Sequence, residues 1–288
     1  MSERQVGRRT GPPLAGRRIR PIRRASAGLS VVRAGAALTM LASAGAIYGV
    51  GASSAFVYST LQLDGAIYGD PAAAEAAIAS ARGQNLFRLS TNPLRIALER
   101  LPTVEHASVG VQLPGTLHVT LHEREPVLIW KVGARRYLAD PAGDLFGLLG
   151  DKPPPQAADL PVIDDRRAAS VGLSVGTRLD PVDVDAATRL ASIIPTDVGS
   201  AATELQVRVT DENGFVIRAE PAGWLAIFGF YTTSLRTTEL IPGQVRLLRS
   251  LLIGREPLIQ RVILASETDG TYVPRPTPGP SASASHAP

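Results

Sequence analysis

LPTVEHASVGVQLPGTLHVTLHEREP, residues 101–126, carries the clearest local signals in the chain. Pro102 ends the helical pattern before it, because proline lacks an N–H and its ring clashes with the preceding turn. Val109, Val111 and Leu113, then Leu117, Val119 and Leu121, alternate apolar with polar residues, which is the period of a half-buried strand. Pro114-Gly115 between the two runs is a turn, so the stretch reads as a hairpin. His118 and His122 lie four apart, a metal-ligand spacing on a helix. On a strand they stand about 13 Å apart at ~3.3 Å per residue. That is too far to share one ion, and with Thr120 they form a solvated polar face.

Working towards the amino terminus, Asn92-Pro93 opens a helix whose Leu94, Ala97, Leu98 and Leu101 share one face. Gly83-Gln84-Asn85 separates it from an Ala-rich helix that starts at Asp70-Pro71, a capping residue followed by proline, and runs to about Ala81. Leu61-Gln62-Leu63 is a short strand ended by Gly65. The order is therefore strand, helix, helix, strand, strand, an α+β unit assigned to residues 59–130.

Before Asp64 the chain is uncharged from Ala34 to Leu63. Some 20 apolar residues suffice to cross a hydrocarbon core ~30 Å thick. A transmembrane helix is expected over residues 34–58, with Tyr48, Phe56 and Tyr58 towards its far end, where amphipathic rings favour the interface. Residues 1–33 hold nine arginines against the single acid Glu3, a net of +8. The whole chain carries +4, so residues 34–288 carry −4. The tail, including Arg17, Arg18, Arg20, Arg23, Arg24 and Arg33, keeps the amino terminus cytoplasmic by the positive-inside bias. It reads as a disordered topology determinant that also touches anionic lipid. Ala42-Ser43-Ala44 resembles a signal-peptidase site, but the apolar run exceeds the ~7–15 residues of a signal-peptide core. We read an uncleaved single-pass anchor of type II. Gly45 and Gly49 have GxxxG spacing, which the Ala/Gly/Ser-rich composition produces readily.

Beyond the hairpin, Tyr137-Leu138-Ala139 and Leu145-Phe146 flank the turn at residues 140–144. A Pro153-Pro154-Pro155 loop follows, then a helix from Asp183 to Ile194 stopped by Pro195. Leu205–Val209 and Phe215–Ala219 form a hairpin around Asn213-Gly214. Trp224–Phe228 is a strand, Gln244–Leu252 a helix, and Ile259–Leu264 the last strand. Residues 131–275 thus make a second, β-rich α+β domain, and 276–288 form a disordered Pro/Ser/Ala tail.

Zero cysteines exclude disulfides, thiolate nucleophiles and thiolate metal sites. A sequence pI near 9.7 belongs to the tail, so the folded part is not a nucleic-acid binder. Asp180, Asp183 and Asp185 lack the glycine and distal glutamate of a calcium loop and read as helix-start acids. Asp164-Asp165-Arg166-Arg167 reads as a solvated loop rather than an acid/base pair. No phosphate loop or Gly-x-Ser-x-Gly elbow is present. The expectation is a protein with no catalytic residues, cofactor, metal or small-molecule substrate.

Several pieces, in order, resemble the FtsQ/DivIB family of bacterial cell-division proteins and its FtsQ-type POTRA domain. Leu63-Asp64-Gly65 is similar to the family's opening strand, and Gly83-Gln84-Asn85-Leu86-Phe87 to the loop between its helices. Leu101-Pro102-x-Val104-x-x-Ala107-x-Val109 is similar to its helix-to-strand passage, and Leu113-Pro114-x-Thr116-Leu117-x-Val119 to its hairpin. Glu123-Arg124-Glu125-Pro126 matches its Glu-Arg-x-Pro signature. Tyr137-Leu138-Ala139-Asp140-x-x-Gly143 with Phe146 resembles the start of its second domain. Two departures stand out. Leu113 replaces an aromatic common before the proline, a change conservative for core packing. If Gly270 and Val273 match the family's final hairpin, its Asp-Leu-Arg stretch falls on Leu264-Ala265-Ser266.

The resemblance implies a non-enzymatic scaffold in the cell membrane at the division septum. It would hold FtsB- and FtsL-type single-pass proteins and help recruit septal wall synthesis. The physical means would be strand addition at an unpaired sheet edge. The edge residues would be Ile259, Arg261, Ile263 and Tyr272, with Tyr231 nearby, although Ile259 and Ile263 could instead face the core with Arg261 merely solvated. The alternative is a POTRA-containing transport or chaperone module of the cell envelope. A barrel of that class needs many alternating strands of ~9–11 residues, and residues 140–275 offer few.

Overall fold

A computed structural model describes residues 31–276. The chain divides into two compact units after Val50.

The first unit is the main part of α1, Val31–Ala52, 22 residues with no buried side chain. It is long and apolar enough to cross a bilayer by length and composition, spanning about 33 Å at 1.5 Å per residue. Arg33 lies in its first turn, whereas Arg17, Arg18, Arg20, Arg23 and Arg24 fall outside the described residues. The helix ends at Ala52, six residues before the expected end at residue 58. Ser53 adopts an extended conformation and its hydroxyl accepts the Ala55 amide, so the chain enters a 3-10 turn, Ser54–Phe56, instead of continuing.

The second unit contains two sheets. The first is built from β1 (Thr60–Asp64), β2 (Val104–Gln112) and β3 (Thr116–Glu123) in the order β1-β3-β2, with β1 parallel and β2 antiparallel to β3. Leu117, Val119 and Leu121 alternate inward from β3. They pack on Ala74 and Ile78 of α2 (Pro71–Ala77) and its extension, and on Leu94 and Leu98 of α3 (Asn92–Leu98). Asp70 caps α2 by accepting the Ala72 amide at 2.9 Å. At α3 Asn92 is already helical, and the N-cap position falls to Thr91, which makes no side-chain cap. Strand β2 begins at Val104, five residues before the alternation becomes legible, because Glu105, His106 and Ser108 leave only Val104 and Ala107 buried. Leu113 does not pack in the core as its sequence context suggested: it stands exposed at the hairpin tip.

The second sheet has nine strands, in the order β12-β11-β10-β9-β8-β7-β4-β5-β6. They are β4 (Leu128–Val132), β5 (Arg135–Ala139), β6 (Leu145–Leu149), β7 (Val162–Asp165), β8 (Glu204–Thr210), β9 (Gly214–Glu220), β10 (Leu225–Gly229), β11 (Ile259–Leu264) and β12 (Gly270–Pro274). Helices α4 (Pro181–Ala191) and α5 (Ile241–Leu252) cover one face. Trp130, Trp224, Phe215, Phe228 and Leu248 lie in the core between them. Strands β4 and β7 carry no period-two signal. Four of the five β4 side chains are buried, and β7 is four residues ending in two acids.

Those acids correct the reading of Asp164-Asp165-Arg166-Arg167 as a solvated loop. Asp165 is 1% exposed. Its carboxylate accepts Trp130 Nε1 at 3.0 Å, Ser170 Oγ at 2.6 Å and Arg167 Nη2 at 2.9 Å. Burial is the largest influence on this carboxyl and pushes its pKa up. The bonds from Arg167 and Ser170 overcome it and hold Asp165 below the usual range.

The Glu-Arg-x-Pro residues join the two sheets. Glu123 accepts the amides of Ile67, Tyr68 and Gly69 at 2.8, 2.6 and 2.8 Å, closing the loop after β1. Arg124 turns the other way and donates to Asp140 at 2.6 Å, a carboxylate that also caps the β5–β6 turn through Ala142 and Asp144. Tyr68 meets Phe146 edge-on with ring centres 6.1 Å apart.

Candidate partner-binding edge

The large sheet ends at β12. It pairs with β11 on one side, and no described strand pairs with the other. The amide of Ala265 donates to Asp269 at 2.9 Å, and Arg275 N–H to Leu258 at 2.8 Å. In an antiparallel ladder these bonds fix the alternation, so that the backbone N–H and C=O of Tyr272 point away from β11. Pro274 closes the strand without a donor, a common device for limiting an edge.

Cross-strand partners share a face. Tyr272 pairs with buried Val262, so its ring lies on the helix side of the edge. Arg261 and Ile263 share the opposite face with Val273 and Thr271. Ile263 is 37% exposed, and Tyr272 and Val273 are each 41% exposed. The strip is thus apolar on both faces, with one cation at Arg261.

The edge is held stiffly at both ends. Arg236 donates to the carbonyls of Phe228, Leu264 and Ala265 where β10 and β11 finish. Gln244, fully buried in α5, donates to the same Phe228 and Leu264 carbonyls at 3.3 and 3.1 Å. At the far end Arg275 Nε donates to Ile259 at 3.0 Å and its Nη2 to Ala222. Glu256 supports that corner, accepting Trp224 Nε1 at 2.7 Å, Ala201 N at 2.9 Å and the Ser200 hydroxyl. Burial raises the Glu256 pKa, and these bonds together with nearby Arg275 bring it below the ordinary value.

Three sequence expectations change. Ile259–Leu264 is not an edge strand, because β11 pairs with β10 in parallel and with β12 in antiparallel. Ile259 is fully buried in the core and offers no side chain to a partner. Tyr231 is buried as well: its hydroxyl donates to Gln244 at 2.6 Å and its ring packs on Phe215. Burial pushes its phenol pKa far up. Arg261, Ile263 and Tyr272 remain on the surface, and β12 adds Thr271 and Val273. The missed signal was Thr-Tyr-Val at 271–273, β-favouring residues directly before the Pro-rich tail. Phe230 and Leu235, exposed in the loop after β10, were also unmarked by any periodicity.

Elsewhere, a cleft of about 1040 Å³ between the sheets is lined by Glu105, His106, His122, Glu123, Arg124 and Asp140. Glu123 is already bonded to the loop after β1, and Arg124 and Asp140 to each other. Among the described residues no group of three or more His, Asp or Glu is placed to hold a metal ion. His118 pairs instead with Asp64 at 2.9 Å across β1 and β3.

The profile for the POTRA domain, FtsQ-type, matches residues 58–124, which span the first sheet and its helices. The cell division protein FtsQ of Chloroflexus aurantiacus is 25% identical over 246 residues, covering 85% of this chain and 80% of the relative. That of Chloroflexus aggregans is 29% identical, covering 77% and 71%. A shorter similarity, 38% over 63 residues, relates 22% of this chain to 23% of FtsQ from Bordetella pertussis. An FtsQ-type POTRA domain followed by a β-rich region makes the chain similar to FtsQ cell division proteins along most of its length, which supports the FtsQ family for it.

Proposed function

We propose that this division protein is a bitopic scaffold whose β12 edge takes a strand from an FtsB- or FtsL-type partner. Helix α1 anchors it in the cell membrane with the arginine-rich amino terminus in the cytoplasm. The POTRA domain and the nine-stranded sheet then stand outside, at the septum, with no reaction of their own to perform. The observation that carries this reading is the terminal strand β12, whose Tyr272 backbone faces outward between exposed apolar side chains. Main-chain hydrogen bonds would supply affinity, and Ile263, Tyr272 and Val273 the side-chain contacts. Arg261 favours a partner strand with an acidic residue in register.

The test is photocrosslinking from positions 261, 263, 271, 272 and 273 in growing cells. Capture of a small coiled-coil membrane protein at Tyr272 and Val273 is expected, together with filamentous cells on depletion. Tyr272→Pro, which removes the outward N–H, should abolish capture from position 273, while Tyr272→Ala weakens it. Equal capture by Tyr272→Pro and wild type would remove the edge from the account.

A further inference from the structure

Three loops of the POTRA domain meet where α1 ends. The amide of Tyr58 donates to Gln84 at 3.0 Å, Leu86 N–H to Phe56 at 2.8 Å, and Asn85 Nδ2 to the Ser53 carbonyl at 3.1 Å. The hairpin turn joins them, since Ser59 and Thr60 amides donate to the Gly115 carbonyl at 2.9 and 3.2 Å. The backbone can come so close because Gly115 has no side chain: a Cβ there would sit 2.6 Å from Ser59 Oγ.

This tip displays apolar groups where a water-facing loop would carry polar ones. Phe87 is 52% exposed and Leu113 48%, with Val111 beside the turn. Phe56 packs edge-on against Phe87 at 5.0 Å, so the two rings form one patch. Residues 51–59, 82–89 and 111–116 contain Arg82 and Arg88 and no acid, although the chain beyond residue 33 is net negative. Arg82 is paired with Glu75, which leaves Arg88 as the cation of the tip.

Connectivity places the patch. Phe56 is four residues past the end of α1, at most about 14 Å away even in an extended chain, and the 3-10 turn shortens that reach. The headgroup layer outside the hydrocarbon core is itself roughly 5–8 Å thick on each side.

We propose that the tip formed by Phe56, Phe87, Leu113 and Arg88 is a membrane-contact surface that inserts into the outer headgroup layer of a phospholipid bilayer. The inference rests on α1 spanning that bilayer. Phe and Leu side chains on an interfacial face bury at the headgroup–acyl boundary, and a cation among them favours anionic headgroups. Its consequence is orientation: lipid contact on one side of the anchor would fix the angle at which the POTRA domain leaves the membrane, and so the direction in which the rest of the molecule stands.

The chain has no cysteine, so single-site labelling is clean. The full chain is reconstituted into phosphatidylcholine vesicles with or without phosphatidylglycerol. An environment-sensitive fluorophore is carried at Phe87→Cys, Leu113→Cys or, as reference, Leu235→Cys, and each variant is checked for wild-type tryptophan emission. Quenching by acyl-brominated lipid should be about threefold stronger or more at 87 and 113 than at 235. Arg88→Glu should lower quenching at 113 in the phosphatidylglycerol vesicles and leave it unchanged in neutral ones. Chains that fail to float with the vesicles would overturn the anchor reading and the tip with it. Chains that float, yet quench equally at 87, 113 and 235, would overturn the tip alone.

Discussion

Replacing Asp165 by asparagine should cost this protein more stability than any other isosteric change on its acids. The carboxylate is buried, holds Arg167 through both oxygens, and accepts Trp130 Nε1, Ser170 Oγ and the Arg167 amide. An asparagine side chain in its place would keep one acceptor oxygen and set an amide donor against donors. Arg167 would retain only Asp183, at 2.7 Å. Breaking one partner of a buried, hydrogen-bonded pair costs about 3–5 kcal/mol. For a domain of this size that lowers the melting midpoint by about 6–20 °C. The assay is built in, because the two tryptophans, Trp130 and Trp224, both sit in the core of the nine-stranded sheet's domain and Trp130 touches Asp165 directly. Thermal unfolding of the detergent-solubilised chain, followed by tryptophan emission, reads the loss. A second signature comes from pH. The folded-state pKa is depressed, so this stabilisation is present above the unfolded value, about 3.9, and is lost as pH falls through the folded value. Asp165→Asn should therefore flatten the acid limb of the stability curve. As control, Arg178→Ala breaks an exposed pair with Asp144 and should leave the midpoint unchanged. An Asp165→Asn midpoint within 2 °C of wild type (about 1 kcal/mol or less), or an unchanged acid limb, would refute the reasoning.

Other outcomes follow from the same structure. Gly65→Ala should destabilise the POTRA domain by about 2 kcal/mol or more, since φ is +86° and a Cβ would fall 2.1 Å from the Leu121 carbonyl; thermal unfolding measures it. Glu123→Ala should cost about 2–3 kcal/mol and speed amide exchange at Ile67, Tyr68 and Gly69, read by hydrogen–deuterium exchange. Arg236→Met should release the β11–β12 turn, raising exchange over residues 265–273 while tryptophan emission is retained. Glu256→Gln should weaken the Ser200–Trp224 corner; with a depressed folded pKa its contribution is present above about pH 4.3 and lost on acidification, so the variant loses stability at neutral pH more than at pH 3.

The first sheet was legible in the sequence because each of its elements carries its own punctuation. Asp70-Pro71 and Asn92-Pro93 start helices, Pro102 ends one, Pro114-Gly115 turns the hairpin, and the strand after it alternates over a single buried face. The larger sheet was legible only at its exposed margins. Strand β4 is buried on both faces, so Leu-Ile-Trp-Lys-Val shows no period that could separate it from a helix turn. Strand β7 draws its meaning from partners distant in the chain, as its pairing of Ile163 with Trp130 and Val207 shows. The same limit explains the candidate edge. Ile259–Leu264 has the composition of an edge strand, and only the hairpin to β12 moves it inside. Tyr231 looked available because its partner, Gln244, lies 13 residues on in another element.

The place of β12 in the chain has a consequence in time. Synthesis proceeds from the amino terminus at ~5–20 residues per second, so α1 is made before every described strand and β12, at one edge of the large sheet, after all the others. Until residues 270–274 emerge, β11 itself presents the open row of amides, and its Ile-Gln-Arg-Val-Ile-Leu sequence has no proline to limit what joins it. The completed hairpin covers that row and replaces it with one ending in Pro274. A chain ending at Asp269 would therefore expose the backbone groups of β11 that the five residues of β12 otherwise pair.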